Sequence, residues 1–323
     1  MIQTLKTLPY KRQIMISSKI TDQIRQQLST RYKTQNKTIY ENEKPSEVIF
    51  LLSPSDVGVT RNGGRQGAFY GPKVIMNELA KFQKTSHHIH SINRCTVTNM
   101  KEELEHFEEA QLSQATRIKD CLKDQLPAIH LGGGHDHIFS FLVAIEQRFS
   151  NKKINIINID AHLDTRQDTA PHSGTPFRQY DQTTQKKYEL HQIGIHLETN
   201  SSENYKDLKM TSMKISPLKR PIHHAQSLSE LVKNSIKSTT EWINILSIDL
   251  DALDSSQFKS CSAVNPEGFF LNELGSIISS YVNEVGKNIF IGFYEYNPLY
   301  DDLSNSDGKK IAWQINQILK LIK

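Results

Sequence analysis

Five short runs of the chain, residues 48–52, 128–131, 154–159, 243–248 and 289–294, are dominated by Ile, Leu, Val and Phe instead of alternating strictly between apolar and polar side chains. A strand that is apolar on both sides must be covered on both sides, as in a parallel sheet flanked by helices. Helical periodicity fills several of the intervals. Phe139, Leu142, Ile145 and Phe149 recur on one helical side, and residues 101–124 read as one helix. That helix places Leu104, Phe107, Ile118, Cys121 and Leu122 on its apolar side and Glu102, Glu103 and Glu105 near its positive end. The alternation predicts an α/β fold with three layers, α-β-α, around a mainly parallel central sheet. Ligands of such sheets gather outside the carboxyl ends of the strands. Polar residues stand at those ends here: His135 after Gly132-Gly133-Gly134, Asp160, Asp249 and Glu295.

The length of 323 residues allows two domains at about 150 residues each, yet no linker, repeat or low-complexity tract divides the chain. A single catalytic domain over residues 46–323 is expected, preceded by a basic segment, 1–45, that ends at Pro45. This segment holds nine Lys/Arg against three Asp/Glu, while the whole chain carries only +4. Ile20, Ile24 and Leu28 give part of it a helical stripe. Its charges are dilute and match no nucleic-acid motif, so a solvated or oligomer-contacting arm is expected and nucleic acid is not expected as a partner. No run approaches the roughly 18 apolar residues that a spanning helix needs, and no export signal is evident, so the expected location is cytoplasmic, away from membranes. Cys95, Cys121 and Cys261 are scattered and odd in number, which points to packing and not to a disulfide framework.

The strand ends carry the chemistry. Asp160, His162 and Asp164 in NIDAHLD are two residues apart, as are Asp249 and Asp251 in SIDLD, so in extended backbone each set faces one way. His135 arrives from the glycine turn. Taken singly, a histidine is more often structural and an Asp after a strand more often a turn former or cap. Three strand ends each delivering ligand-type residues point instead to metal binding. Four carboxylates and two imidazoles suit hard or borderline divalent ions such as manganese, and two ions fit such a set better than one. Four aspartates balance two divalent cations in charge; without cations they would raise one another's pKa values. A dinucleotide loop is the weaker alternative for the triple glycine, because the GxGxxG spacing is incomplete and His135-Asp136 occupies positions that need small residues.

GGGHDH at 132–137, NIDAHLDTR at 158–166, SIDLDALD at 247–254 and YEYNP at 294–298, in this order, resemble the arginase, agmatinase and formimidoylglutamase group of ureohydrolases. The resemblance runs from about residue 47 to the carboxyl end. It implies an arginase-like fold and two manganese ions per subunit held by His135, Asp160, His162, Asp164, Asp249 and Asp251, the set already reached from spacing. Within the group, GVTRNGGRQGAFYGP at 58–72 and SGTPFRQ at 173–179 are most similar to the loops of formimidoylglutamase, an enzyme of histidine degradation. The implied substrate, N-formimidoyl-L-glutamate, has two carboxylates and calls for cationic partners. Arg61, Arg65, Arg166 and Arg178 are the candidates, with Arg178 taken first; Ser173 and Gly174 complete the expected substrate contacts. Loop arginines also often bind carbonyls or surface acids. The sequence departs from the group's pattern at His172, before Ser173, and at Ser255, after Asp254. Phe177 falls where arginases carry a proton-transfer histidine, so that role is not transferred; His172 is a weak substitute.

The implied reaction is hydrolysis to L-glutamate and formamide by a hydroxide held between the two metals. Asp164 or Asp251 would carry a proton to the leaving nitrogen, and Glu295 would pair with the amidinium of the substrate. Arginine, agmatine or a guanidino acid are alternative substrates, and a catalytically silent metal-binding protein is the alternative of another class. Homo-oligomer formation is left open.

Overall fold

The computed structural model describes residues 48–82, 88–91, 100–124, 126–208, 212–218, 225–286 and 288–322. The basic segment and its expected helix, and Cys95, lie outside them. Eight described strands form one sheet: β1 (Ile49–Ser53), β2 (His88–Ser91), β3 (Ala128–Gly132), β4 (Lys153–Ile159), β5 (Tyr188–Ile195), β6 (Ser212–Pro217), β7 (Trp242–Asp249) and β8 (Phe290–Tyr294). Their order is β2-β1-β3-β8-β7-β4-β5-β6, and every pairing is parallel.

The two faces of the sheet carry separate cores, which is why the central runs are apolar on both sides. Phe50, Ile129, Leu131, Ile159, Ile248, Ile291 and Phe293 point to one face. They pack under α2 (Gly71–Leu79), α7 (Ala225–Ser235), α8 (Leu271–Val285) and α9 (Ser306–Leu321), numbered along the described chain. Ile49, Leu51, Ile154, Ile156, Ile243, Ile245 and Phe290 point to the other. There they meet α4 (Phe107–Cys121), α5 (His137–Arg148) and α6 (Pro176–Thr183). The result is the three-layer α-β-α arrangement that the sequence predicts.

One local expectation is corrected, and the stretch at 58–72 that is similar to the family's loops proves to hold regular structure. Residues 101–124 are not one helix. The chain forms α3 (Met100–Glu105), breaks at His106 (φ −124°), and resumes as α4, whose buried face includes Gln111 and Gln114 beside Ala115 and Ile118. Gln111 and Gln114 are buried through polar contacts with Asp136, Gln179 and His137, a pairing that an apolar stripe does not reveal. The glycine-rich stretch after β1 is also more ordered than a loop: it holds the short helix α1 (Val57–Arg61) and a 3-10 turn at Ala68–Tyr70 before α2 begins. Cys261 is buried and Cys121 half-buried, both as free thiols.

The strand order matters for function. β3, β8, β7 and β4 are four consecutive neighbours in the sheet, so the segments leaving their carboxyl ends, with His135, Glu295, Asp249 and Asp160, open onto one crevice.

Candidate metal centre

The turn from β3 to α5 is held by backbone contacts. Gly133 N–H donates to Ser53 O (3.0 Å), Gly134 N–H donates to Ser55 O (3.1 Å), and Glu295 N–H donates to Gly133 O (2.7 Å). A Cβ on Gly133 would lie 1.8 Å from Ser55 O, a fixed backbone atom. The glycine therefore permits the close approach that delivers His135. We expect Gly133→Ala to lower stability by about 1–3 kcal/mol through overpacking and to weaken metal binding, checked by thermal melting and metal content; a variant matching wild type in both would contradict this role.

His135 is buried, with Nδ1 3.2 Å from Asp160 Oδ2, 2.8 Å from Asp164 Oδ2 and 3.1 Å from Asp249 Oδ2. On the other side of Asp160, His162 Nδ1 is 3.6 Å from Asp160 Oδ1 and 3.1 Å from Asp251 Oδ2. Two donor groups result, His135/Asp160/Asp164/Asp249 and Asp160/His162/Asp251, with Asp160 common to both. All six residues singled out by spacing come together. The extended backbone assumed for them does not hold. β4 and β7 stop at Ile159 and Asp249, Asp164 has φ +51°, and Asp251 sits in a 3-10 turn at Leu250–Ala252. Turns convey the convergence instead: Asp160 Oδ1 accepts from His162 N–H (2.8 Å) and Asp249 Oδ1 accepts from Asp251 N–H (2.9 Å).

The donor set fits a cation. Although three carboxylate oxygens surround His135 Nδ1, this buried nitrogen makes no hydrogen bond, and neither do Asp251 Oδ1 and Glu295 Oε2. Buried polar atoms are rarely left so, and a cation in each donor group would give His135 and Asp251 a positive partner. The electrostatics agree. Burial alone disfavours a charged His135, yet Asp160, Asp164 and Asp249 outweigh it and hold the imidazole well above its ordinary pKa. The Asp251 carboxylate, against the opposing effect of burial and with help from Asp160, pushes His162 up to about 12. Burial, then the charges of Asp251 and Asp160, raise Asp249, and burial raises Asp251 to about 6 against the pull of His162. Asp160 goes the other way: the two histidines overcome its burial and hold it below the carboxylate range.

Glu295 follows β8 with φ +68°, a conformation that only a tightly determined surrounding imposes on a non-glycine residue. Its Oε1 accepts from His135 N–H (3.0 Å), and burial followed by the Asp249 charge raises its carboxyl well above the usual range. Two side chains outside the sequence-derived set frame His135. Ser247 Oγ lies 2.8 Å from His135 Nε2, and the Tyr294 ring stacks on the imidazole at 5.0 Å. Ser247 lies two residues before Asp249 on the same side of β7, a period-two signal that the sequence did carry.

The four candidate arginines differ in their surroundings. Arg61 donates to Pro171 O and Leu104 O, pairs with Glu108, and lies over the Phe107 ring. Arg65 donates to the carbonyls of Cys261 and Ser262 and stacks on Tyr300. Arg178 forms a two-pronged ion pair with Asp207 and also donates to Thr165 O and Asn204 O. Arg166 is exposed, and its guanidinium donates to the neutral amide of Asn62 (2.8 Å) beside Gly174 and Ser173. His172 accepts at Nδ1 from Gly174 N–H (3.0 Å), which leaves the Nε2 proton to donate to Asp168 (3.1 Å); Phe177 is buried against the His135 ring at 5.7 Å.

Comparison with known proteins places this architecture. A model of the arginase family matches residues 46–316. Curated formimidoylglutamases are similar at 30% identity over 284 residues in Klebsiella pneumoniae, covering 84% of this chain and 86% of that protein, and at 29% over 281 residues in Photorhabdus laumondii, with the same coverages. The solved structure of Trypanosoma cruzi formiminoglutamase with Mn2+2 superposes with a TM-score of 0.69 at 18% identity, covering 87% of this chain and 96% of that one. Formimidoylglutamase from Bacillus subtilis gives 0.68 at 21%, covering 87% and 88%. At these identities the two solved structures are likenesses of fold.

Proposed function

This chain belongs to the arginase family, and from that premise we propose that it is a binuclear-metal hydrolase that cleaves N-formimidoyl-L-glutamate to L-glutamate and formamide. The observation that carries the proposal is the pair of donor groups sharing Asp160, with Glu295 beside them. Four buried carboxylates carry four negative charges, which two divalent cations would cancel once His135 and His162 bind as neutral imidazoles. His135, Asp160, Asp164 and Asp249 would hold one cation, and Asp160, His162 and Asp251 the other. Manganese suits this mixture of carboxylate and imidazole, and the Trypanosoma cruzi formiminoglutamase structure with Mn2+2 supports it. When bound, the cations supply Lewis acidity and a water acidified toward neutral pH.

The chain's own groups do the rest. With His135 Nδ1 kept as a lone pair, Nε2 carries the proton and donates to Ser247 Oγ, which fixes the tautomer and the ring orientation. Glu295 is a carboxyl that burial leaves short of a counter-charge. An amidinium cation entering the crevice would restore its ionised form and be oriented by it. Asp164 or Asp251 would hold the proton that the departing glutamate nitrogen needs. Arg166, with Ser173 and Gly174 beside it, is assigned to a substrate carboxylate. Arg61, Arg65 and Arg178 are assigned to holding the surrounding loops through the partners they already have.

The test is product identity from the manganese-loaded protein offered formimidoylglutamate, arginine, agmatine and guanidino acids. Formamide and glutamate from the first are expected; urea from any of the others, with formimidoylglutamate untouched, would overturn the substrate. Loading should also stabilise the fold by about 2.7 kcal/mol for each site at a metal concentration 100-fold above its Kd. A melting temperature that manganese leaves unmoved would count against the metal centre.

A further inference from the structure

Asn62, at the carboxyl end of α1, joins two segments that are remote in sequence. Its Oδ1 accepts from Arg166 Nη2 (2.8 Å) and its Nδ2 donates to Ser173 Oγ (3.0 Å), so one planar amide fixes both groups. The backbone repeats the junction. Asn62 N–H and Ser173 N–H both donate to Gly58 O (3.1 Å each), and Arg166 N–H donates to Gly174 O (3.1 Å). A Cβ on Gly174 would lie 2.1 Å from Arg166 Nη2, so the guanidinium rests directly on that glycine. His172 secures the turn from behind through Gly174 N–H.

The amide is neutral, and this distinguishes Arg166 from Arg61 and Arg178; Arg65 also meets neutral groups, but its guanidinium is taken up by the Cys261 and Ser262 carbonyls and the Tyr300 ring. Arg61 and Arg178 face Glu108 and Asp207, which cancel their charge. An asparagine can hold a guanidinium in place without cancelling it. We infer that Asn62 is a positioning residue, a neutral clasp that presents Arg166 and Ser173 together as one receptor for a substrate carboxylate. The inference rests on the proposed dicarboxylic amidine substrate and adds a residue to its recognition.

The experiment uses the manganese-loaded full chain, with N-formimidoyl-L-glutamate as substrate and L-glutamate as inhibitor. Wild type, Asn62→Ala, Asn62→Asp, Arg166→Ala and the Asn62→Ala/Arg166→Ala double variant are compared. Losing a hydrogen bond to a charged group should raise KM and the glutamate inhibition constant about tenfold in Asn62→Ala, with a smaller change in kcat. Asn62→Asp keeps the shape but pairs with Arg166, and should raise both constants by roughly 100-fold. In the Arg166→Ala background, Asn62→Ala should add less than about threefold, because the amide acts through the guanidinium. Melting temperature and metal content report folding; should Asn62→Ala melt early, the near-isosteric Asn62→Asp carries the test alone. Wild-type KM and inhibition constants in Asn62→Asp, or a full additive loss in the double variant, would overturn the role of Asn62. A wild-type protein that releases no glutamate from formimidoylglutamate would overturn the substrate instead, and this inference with it.

Discussion

Replacing Asp160 by alanine should remove both cations at once and lower kcat by more than about 1,000-fold, since metal activation of water supplies several kcal/mol and each 1.36 kcal/mol is tenfold in rate. Asp160 is singled out because its two oxygens face different histidines, Oδ2 toward His135 and Oδ1 toward His162. The fold should persist, since the sheet and both cores lie below the strand ends. Asp249→Asn makes an instructive contrast. It should lose metal and activity too, but in the cation-free protein it removes a carboxylate whose folded pKa is raised. An acid with a raised folded pKa contributes stability while protonated and loses it as pH rises from the usual carboxylate range through the folded value. At neutral pH, cation-free Asp249→Asn should therefore melt above cation-free wild type. Asp160, with its folded pKa lowered by the two histidines, should give the reverse: cation-free Asp160→Ala melts lower. Metal content, turnover and cation-free melting of the two variants check this, and retained metal with normal turnover in either would remove that residue from the centre.

Glu295→Gln should keep both metals and lose about 100-fold or more in kcat/KM. Glutamine retains the shape and the acceptor for His135 N–H, so the turn that delivers His135 is preserved. What disappears is the negative charge opposite the amidinium. Removing one partner of a buried, hydrogen-bonded charge pair typically costs about 2–5 kcal/mol, much of it from the charge left unpaired on the other side. The deficit should shrink for a neutral amide competitor, which never needed the carboxylate. Steady-state kinetics alongside metal analysis decides the matter: unchanged kcat/KM with full metal occupancy would show that Glu295 does not orient the substrate.

Much of this site was legible in the sequence because its donors sit at the ends of strands that announce themselves. A run buried on both faces is apolar on both faces, so β1, β3, β4, β7 and β8 could be read with their ends, and the ends are where His135, Asp160, Asp249 and Glu295 stand. Period-two spacing picked out residues that the fold brings together although the backbone after Ile159 and Asp249 has already turned, because Asp160 and Asp249 each cap the next donor through its N–H. The sheet edges were not legible. β6 is only half-buried, so its sequence lacks the apolar signature, and in β5 His191 and Gln192 interrupt it. The break at His106 was hidden for a related reason: the buried face of α4 uses Gln111 and Gln114, whose partners lie far along the chain. The same holds for the arginines. Composition lists four cations near a crevice, but only the folded chain pairs Arg178 with Asp207 and Arg61 with Glu108, and brings Asn62 to Arg166.

Two cations sharing Asp160 would fill the two donor groups. Anomalous diffraction at the manganese edge, from crystals grown with manganese, tests this directly. Two peaks per chain are expected, one against His135 Nδ1 and the other against His162 Nδ1, both in contact with the Asp160 carboxylate. A single peak, or peaks remote from these side chains, would contradict it.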